Sequence, residues 1–97
     1  MIRIVKMVFK PEMVDEFLAN FKEDKAKIRN FDGVEHLELL QDKNHPNIYF
    51  TYSKWKSPNH LEKYRNSDLF KGIWAVTKPM FSEKAQAWSV DSIEKLL

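Results

Sequence analysis

Eight residues, Ile48-Tyr49-Phe50-Thr51-Tyr52-Ser53-Lys54-Trp55, put rings on both sides of one extended segment. The run is dense in aromatics and follows turn formers around Pro46, which predicts a strand over 48–55. Side chains alternate across a strand, so Ile48, Phe50 and Tyr52 point one way while Tyr49 and Trp55 point the other. Any sheet built around this strand has two apolar faces. Helices can cover one of them. The other, left bare, would exceed the exposed patch that soluble monomers tolerate, so a second copy of the chain or a flat ligand such as a nucleic-acid base has to lie on it.

The rest of the chain supplies the sheet partners and the helices. Ile2 to Phe9 is rich in β-branched residues and predicts a first strand, ended by Pro11. From Pro11 to about Asn30 apolar residues recur at Val14, Phe17, Leu18, Phe21 and Ile28 with a helical period, and Asp32-Gly33 closes that helix. Val34 to Gln41 predicts a second strand, paired antiparallel with the third through the Asp42–Asn47 turn. After Trp55 come two short helices. Ser57 caps the first, with Pro58 at its first position, and Ser67 caps the second. Pro79 breaks the pattern, and Ala85 to Val90, containing Trp88, predicts a fourth strand followed by an apolar tail at Ile93, Leu96 and Leu97. The order β-α-β-β-α-β, with the second α split in two, is the ferredoxin-like α+β plan: a four-stranded antiparallel sheet with helices on one face.

Ninety-seven residues at 43% hydrophobic are enough for one core, so residues 1–97 read as one domain that a partner subunit would help to stabilise. Sixteen basic and 14 acidic side chains are interspersed for a net charge of +2, which announces no phosphate-binding face and disfavours nucleic acid. The absence of cysteine removes disulfides, thiolate nucleophiles and sulfur-ligated metals. No apolar run approaches membrane-spanning length and the start lacks a signal-peptide core, so a soluble, cytoplasmic protein with no membrane partner is expected.

Few constellations carry chemistry. His36 and Glu38 make H-x-E on one strand face, but the zinc deaminase pattern also needs a Cys-x-x-Cys pair, and no histidine pair has ligand spacing with a carboxylate on the same helix face. His45 lies in a turn. Ser57 and Ser67 are accounted for as caps, and neither Gly33 nor Gly72 belongs to a phosphate loop. Asp15, Glu16, Glu23 and Asp24 sit among lysines and read as a solvated helix face. What remains is aromatic: bulky residues on two helices joined by a break can wall a pocket against a sheet, and Leu61, Tyr64, Phe70 and Trp74 fit either such a wall or plain core.

The strand ending in Trp55, the Trp-x-Ser start, the His60-Leu61 step, the Ser67-Asp68-Leu69-Phe70 helix and the Trp88 strand together resemble the antibiotic biosynthesis monooxygenase family. The resemblance implies a dimeric α+β barrel in which two ferredoxin-like sheets pack face to face, covering the second apolar face. It also implies oxygenation of aromatic polyketides, quinols or related phenols without flavin or metal, the deprotonated substrate itself reducing dioxygen. Many members carry a histidine where this chain has Tyr64, and a second where it has Leu69. The haem-degrading branch is similar in carrying asparagine, tryptophan and a proximal histidine at positions that here are Met7, Tyr64 and Trp74. Without that histidine haem iron lacks its axial ligand, so haem chemistry is not expected.

The resulting expectation is a homodimeric, cofactor-independent monooxygenase acting on a small aromatic substrate and dioxygen, with no metal. Tyr64 is the polar group expected to meet the substrate, donating to a developing oxyanion, because an ordinary tyrosine is a poor base at neutral pH. The base is unassigned; His60, one helical turn before Tyr64, reads either as a candidate for it or as a partly exposed surface histidine. Met7, Phe70 and Trp74 are expected to bind the substrate as pocket walls. The alternatives are a non-catalytic dimeric module that binds an aromatic metabolite and, ranked last, an RNA-recognition domain, whose basic-glycine signature is missing at Tyr49-Phe50-Thr51-Tyr52.

Overall fold

In the computed structural model, which describes residues 1–97, strands β1 (Ile2–Val8), β2 (Val34–Gln41), β3 (Ile48–Trp55) and β4 (Gln86–Val90) form one antiparallel sheet in the order β2-β3-β1-β4. Helices α1 (Val14–Arg29), α2 (Pro58–Arg65) and α3 (Asp68–Thr77) complete the ferredoxin-like arrangement, with the second helical segment split as expected. β1 and β3 are central, so the strand with two apolar faces lies inside the sheet.

Register decides which residues meet the helices. Met7 pairs with Tyr49, and Arg3 pairs with Ser53 on one side and Ser89 on the other. Cross-strand partners share a face, so Arg3, Val5 and Met7 lie with Tyr49, Thr51, Ser53 and Trp55 under the helices. The opposite face carries Ile4 between Tyr52 and Trp88, with Phe50 and Leu40 in the next row. Trp88 is 45% exposed and Leu40 is 40% exposed, so the apolar row of this face, set among Lys6, Lys54, His36 and Glu38, is uncovered within one chain.

Both serine caps form. The Ser57 hydroxyl accepts from the His60 amide at 3.3 Å and the Ser67 hydroxyl from the Phe70 amide at 3.1 Å. Each satisfies a helix N–H that would otherwise be orphaned, an effect worth about 1 kcal/mol. The break between α2 and α3 is thus written into the two caps.

The first helix begins differently from its periodicity. Pro11–Met13 is a turn of 3-10 helix with no side-chain cap, and α1 proper starts at Val14. β1 ends one residue early. Phe9 leaves it, bridges to Phe81, and becomes the one large side chain with no solvent exposure. β4 starts at Gln86 rather than Ala85, and the apolar tail does not pack: Ile93 and Leu96 are 94% and 87% exposed.

The buried apolar residues, Val8 apart, fall into two clusters. Met7, Phe9, Phe17, Tyr49 and Met80 fill one end of the helix-sheet layer; Ile28, Val34, Trp55, Leu61 and Tyr64 fill the other. Phe21 packs against both. Between them the layer is hollow.

Candidate functional site

The space between the clusters is a cavity of about 300 Å³. Its floor is the sheet, from Val5 and Met7 of β1 to Thr51, Ser53 and Trp55 of β3; its roof is Phe17, Phe21 and Ile28 of α1 with Tyr64 of α2 and Phe70 and Trp74 of α3. Fourteen of the 19 lining residues are hydrophobic, so a ligand here would be held by apolar area and oriented by few polar groups.

The cavity persists because its wall is a chain of rigid rings. Trp55 and Tyr64 lie 5.2 Å apart between centroids, Tyr64 and Phe70 5.2 Å, Phe70 and Trp74 5.8 Å with planes 15° apart, and Trp74 and Phe81 5.5 Å. Contacts of this kind contribute about 0.5–1.5 kcal/mol each beyond area burial, and a ring held by two neighbours cannot swing in to fill the void. All five residues of β4 are exposed although Ala87 lines the cavity, which places an opening beside that edge strand.

Tyr64 is buried at 9% exposure, its ring held between Trp55, Phe70 and an edge contact from Phe31 at 5.2 Å. The hydroxyl makes no side-chain hydrogen bond within the chain, yet no buried polar side-chain atom is left without a partner. The hydroxyl is therefore accessible, and the accessible space its residue lines is the cavity. Burial pushes its pKa up to about 12, with the charge of Asp24 adding to the shift. Tyr64 is thus a neutral phenol at physiological pH, a donor rather than a base.

Other polar lining groups are already engaged. Ser53 Oγ accepts from the Trp55 indole N–H at 2.9 Å, fixing that ring, and the Thr77 hydroxyl donates to the Ile73 carbonyl at 2.7 Å. Tyr64, Thr51, Arg3 and Arg65 remain to address a ligand. Carboxylate, imidazole and amine groups are all missing from the lining.

Of the residues singled out in the sequence, Tyr64, Met7, Phe70 and Trp74 are brought together on the cavity. His60 is not. One turn before Tyr64 on α2, it projects to the other side. Its Nδ1 lies 2.6 Å from Ser57 Oγ, its Nε2 lies 3.8 Å from Asp32, and its ring packs on Gly33. A helical step of four residues puts two side chains on one face only approximately, and Gly33, with φ 91°, offers the imidazole a flat backbone seat. His36 pairs with Glu38 at 2.7 Å on the open sheet face, and His45 with Asp42 at 3.1 Å in its turn. Nowhere do three or more His, Asp or Glu side chains converge.

Sequence reasoning missed three groups. Asp24 reads as part of a charged helix face but is half-buried, between Phe21 and Ile28 on the inward stripe of α1 and close enough to influence Tyr64. The i, i+3, i+7 spacing of those three residues was the available signal. Arg3 and Arg65 line the cavity, and only the sheet register and the end point of α2 reveal it.

Comparison of the structure with solved proteins finds the same fold repeatedly. A conserved protein from Methanosarcina mazei Go1 is 26% identical, with TM-score 0.83 over 89% of this chain and 86% of that one. A structure described as an antibiotic biosynthesis monooxygenase is 17% identical, with TM-score 0.88 over 97% and 100%. One from Caulobacter crescentus CB15, provisionally given the same description, is 21% identical, with TM-score 0.88 over 96% and 89%. Among curated protein sequences nothing matches. The family model for antibiotic biosynthesis monooxygenase matches residues 1–75, and the chain belongs to that family, whose membership supports a general monooxygenase-type function.

Proposed function

We propose that the chain is a cofactor-independent monooxygenase that oxygenates a small aromatic, polyketide or quinol substrate in the cavity between helices and sheet. The observation that carries this reading is the buried Tyr64 ring, whose hydroxyl makes no side-chain hydrogen bond and which lines a largely apolar cavity. An electron-rich ring fits the aromatic wall of Tyr64, Phe70 and Trp74, with Met7 on the floor. The substrate enters as its anion, its proton left in solvent, and the Tyr64 O–H donates to the charged oxygen, a bond that needs no reorganisation because the ring is already fixed. The anion then reduces dioxygen in a site from which the apolar walls exclude water. The working unit is a homodimer, a second copy covering the sheet face of Ile4, Phe50, Tyr52 and Trp88.

The test is oxygen uptake by the purified protein on a panel of quinols and hydroxylated polyaromatics. Uptake above a protein-free control, slowed by about a hundredfold or more in Tyr64→Phe, is the expected result. No uptake across the panel overturns it.

A second reading, a dimeric module that binds an aromatic metabolite without turnover, is favoured by one observation. No lining residue is a base near neutral pH, since the only ionisable side chains there are Arg3, Arg65 and Tyr64. Stoichiometric binding with no oxygen consumed distinguishes it.

A further inference from the structure

The charged groups lining the cavity are two arginines and nothing of opposite sign. Arg3 reaches it from β1, its register placing it between Ser53 and Ser89 on the helix side of the sheet. Arg65 reaches it from the last residue of α2, directly after Tyr64. Arg3 is half-buried, has no carboxylate within 4.0 Å, and spends a single hydrogen bond on Ser89 Oγ at 3.0 Å. Arg65 is exposed and meets Glu62 at 3.6 Å, outside the lining. A guanidinium has five donors, so Arg3 keeps most of its capacity free. Partial burial and the neighbouring Arg65 charge both lower its pKa, with Glu62 pulling weakly the other way. Two like charges at the edge of a low-dielectric space are unfavourable alone and become favourable when an anion enters.

We infer that the cavity's ligand is an amphipathic organic anion, whose ring lies among Tyr64, Phe70 and Trp74 and whose carboxylate or enolate oxygen meets Arg3 and Arg65 beside β4. This rests on the reading of the cavity as an aromatic site and names its substrate class. It also accounts for a lining without a base: the arginines favour the ionised form of an acidic substrate, which therefore enters already deprotonated.

The experiment compares two probes of equal shape, 2-naphthoate and 2-naphthylmethanol, titrated into the full-length protein by calorimetry. Naphthoate is expected to bind at least about tenfold more tightly, since hydrogen bonds to charged groups contribute more than neutral ones. That preference should fall to near unity in Arg3→Gln/Arg65→Gln and persist in Arg3→Lys, which keeps the charge. Arg65→Gln alone, at an exposed position, should reduce the preference without affecting folding. Equal affinity of the two probes in the wild type, or a preference unchanged in the double variant, overturns the anion assignment while the aromatic site stands. Failure of both probes to bind overturns both readings, and binding of the alcohol alone overturns the anion assignment.

Discussion

The Trp55 and Tyr64 rings lie 5.2 Å apart with their planes inclined by 38°, joining the end of the central strand to the inner face of α2. Trp55 is held in turn by its indole N–H on Ser53, so Tyr64 leans on a ring that cannot rotate away. The phenol is anchored by its carbon skeleton while its oxygen stays free, which is what a preorganised donor requires.

That arrangement has a pH signature. Because the folded pKa of Tyr64 is raised from 10.0 to about 12, the unfolded chain ionises first and the native state loses stability as pH rises from about 10 towards 12, with no such effect below pH 10. Comparing wild type with Tyr64→Phe cancels the other titrating groups. The stability difference between them should shift against the wild type by about 1 kcal/mol between pH 9 and pH 11, as measured by urea denaturation. A difference that stays constant with pH would mean that the hydroxyl is solvated.

Trp74 should behave differently from Tyr64. Its ring is half-buried and stacked on Phe70 at 5.8 Å, so Trp74→Ala removes part of the cavity wall rather than a polar handle. Complete burial would put the cost at about 3–5 kcal/mol; partial exposure lowers the expected loss to about 1–3 kcal/mol. On an active substrate the Michaelis constant should rise with little change in turnover, because the ring contributes equally to ground-state and transition-state binding. An unchanged Michaelis constant would remove Trp74 from the site.

How far the sequence is legible depends on whether a signal is local. β2 and β3 follow from alternation and from the turn formers between them, both contained in a few residues, and their ends match the structure. The break between α2 and α3 is equally local, written in Ser57 and Ser67. The site is only partly so. Tyr64, Phe70 and Trp74 stand out as aromatics on capped helices, whereas Arg3 looks like a solvent-facing charge on an alternating strand until the register sets it opposite Ser53 and Ser89. His60 errs in the other direction. Its spacing to Tyr64 suggests a shared face, but the close approach of Gly33 draws the imidazole away from the cavity.

Gly33 should tolerate no side chain. Its φ of 91° is costly for any other residue, and an added Cβ would collide with His60 Cβ and the root of its ring. Gly33→Ala is expected to destabilise the fold by about 2 kcal/mol or more, combining backbone strain with the clash. In a His60→Gly background, which removes the Cβ as well as the ring, only the strain of about 1 kcal/mol should remain, so the double-mutant cycle should show coupling of about 1 kcal/mol. Strict additivity would show that the imidazole moves aside without cost.

The uncovered sheet face supplies the last test. Trp88 on β4 stands opposite Ile4, which stands opposite Tyr52 on β3, so one apolar row crosses three strands. If a second copy covers this row, Trp88 is buried in a symmetric contact, and a large aromatic there is the kind of residue that dominates an interface. The wild type should sediment as a dimer at micromolar concentration. Trp88→Glu places an unpaired carboxylate against an apolar partner, at a cost of about 2 kcal/mol or more per copy, and should shift the equilibrium to monomer. Because Trp88 is 45% exposed within the chain, the monomer's secondary structure should survive the change, as read by circular dichroism. A monomeric wild type, or a Trp88→Glu variant that dimerises as well as its parent, would leave the row without an occupant and would rule out the face-to-face pairing of sheets.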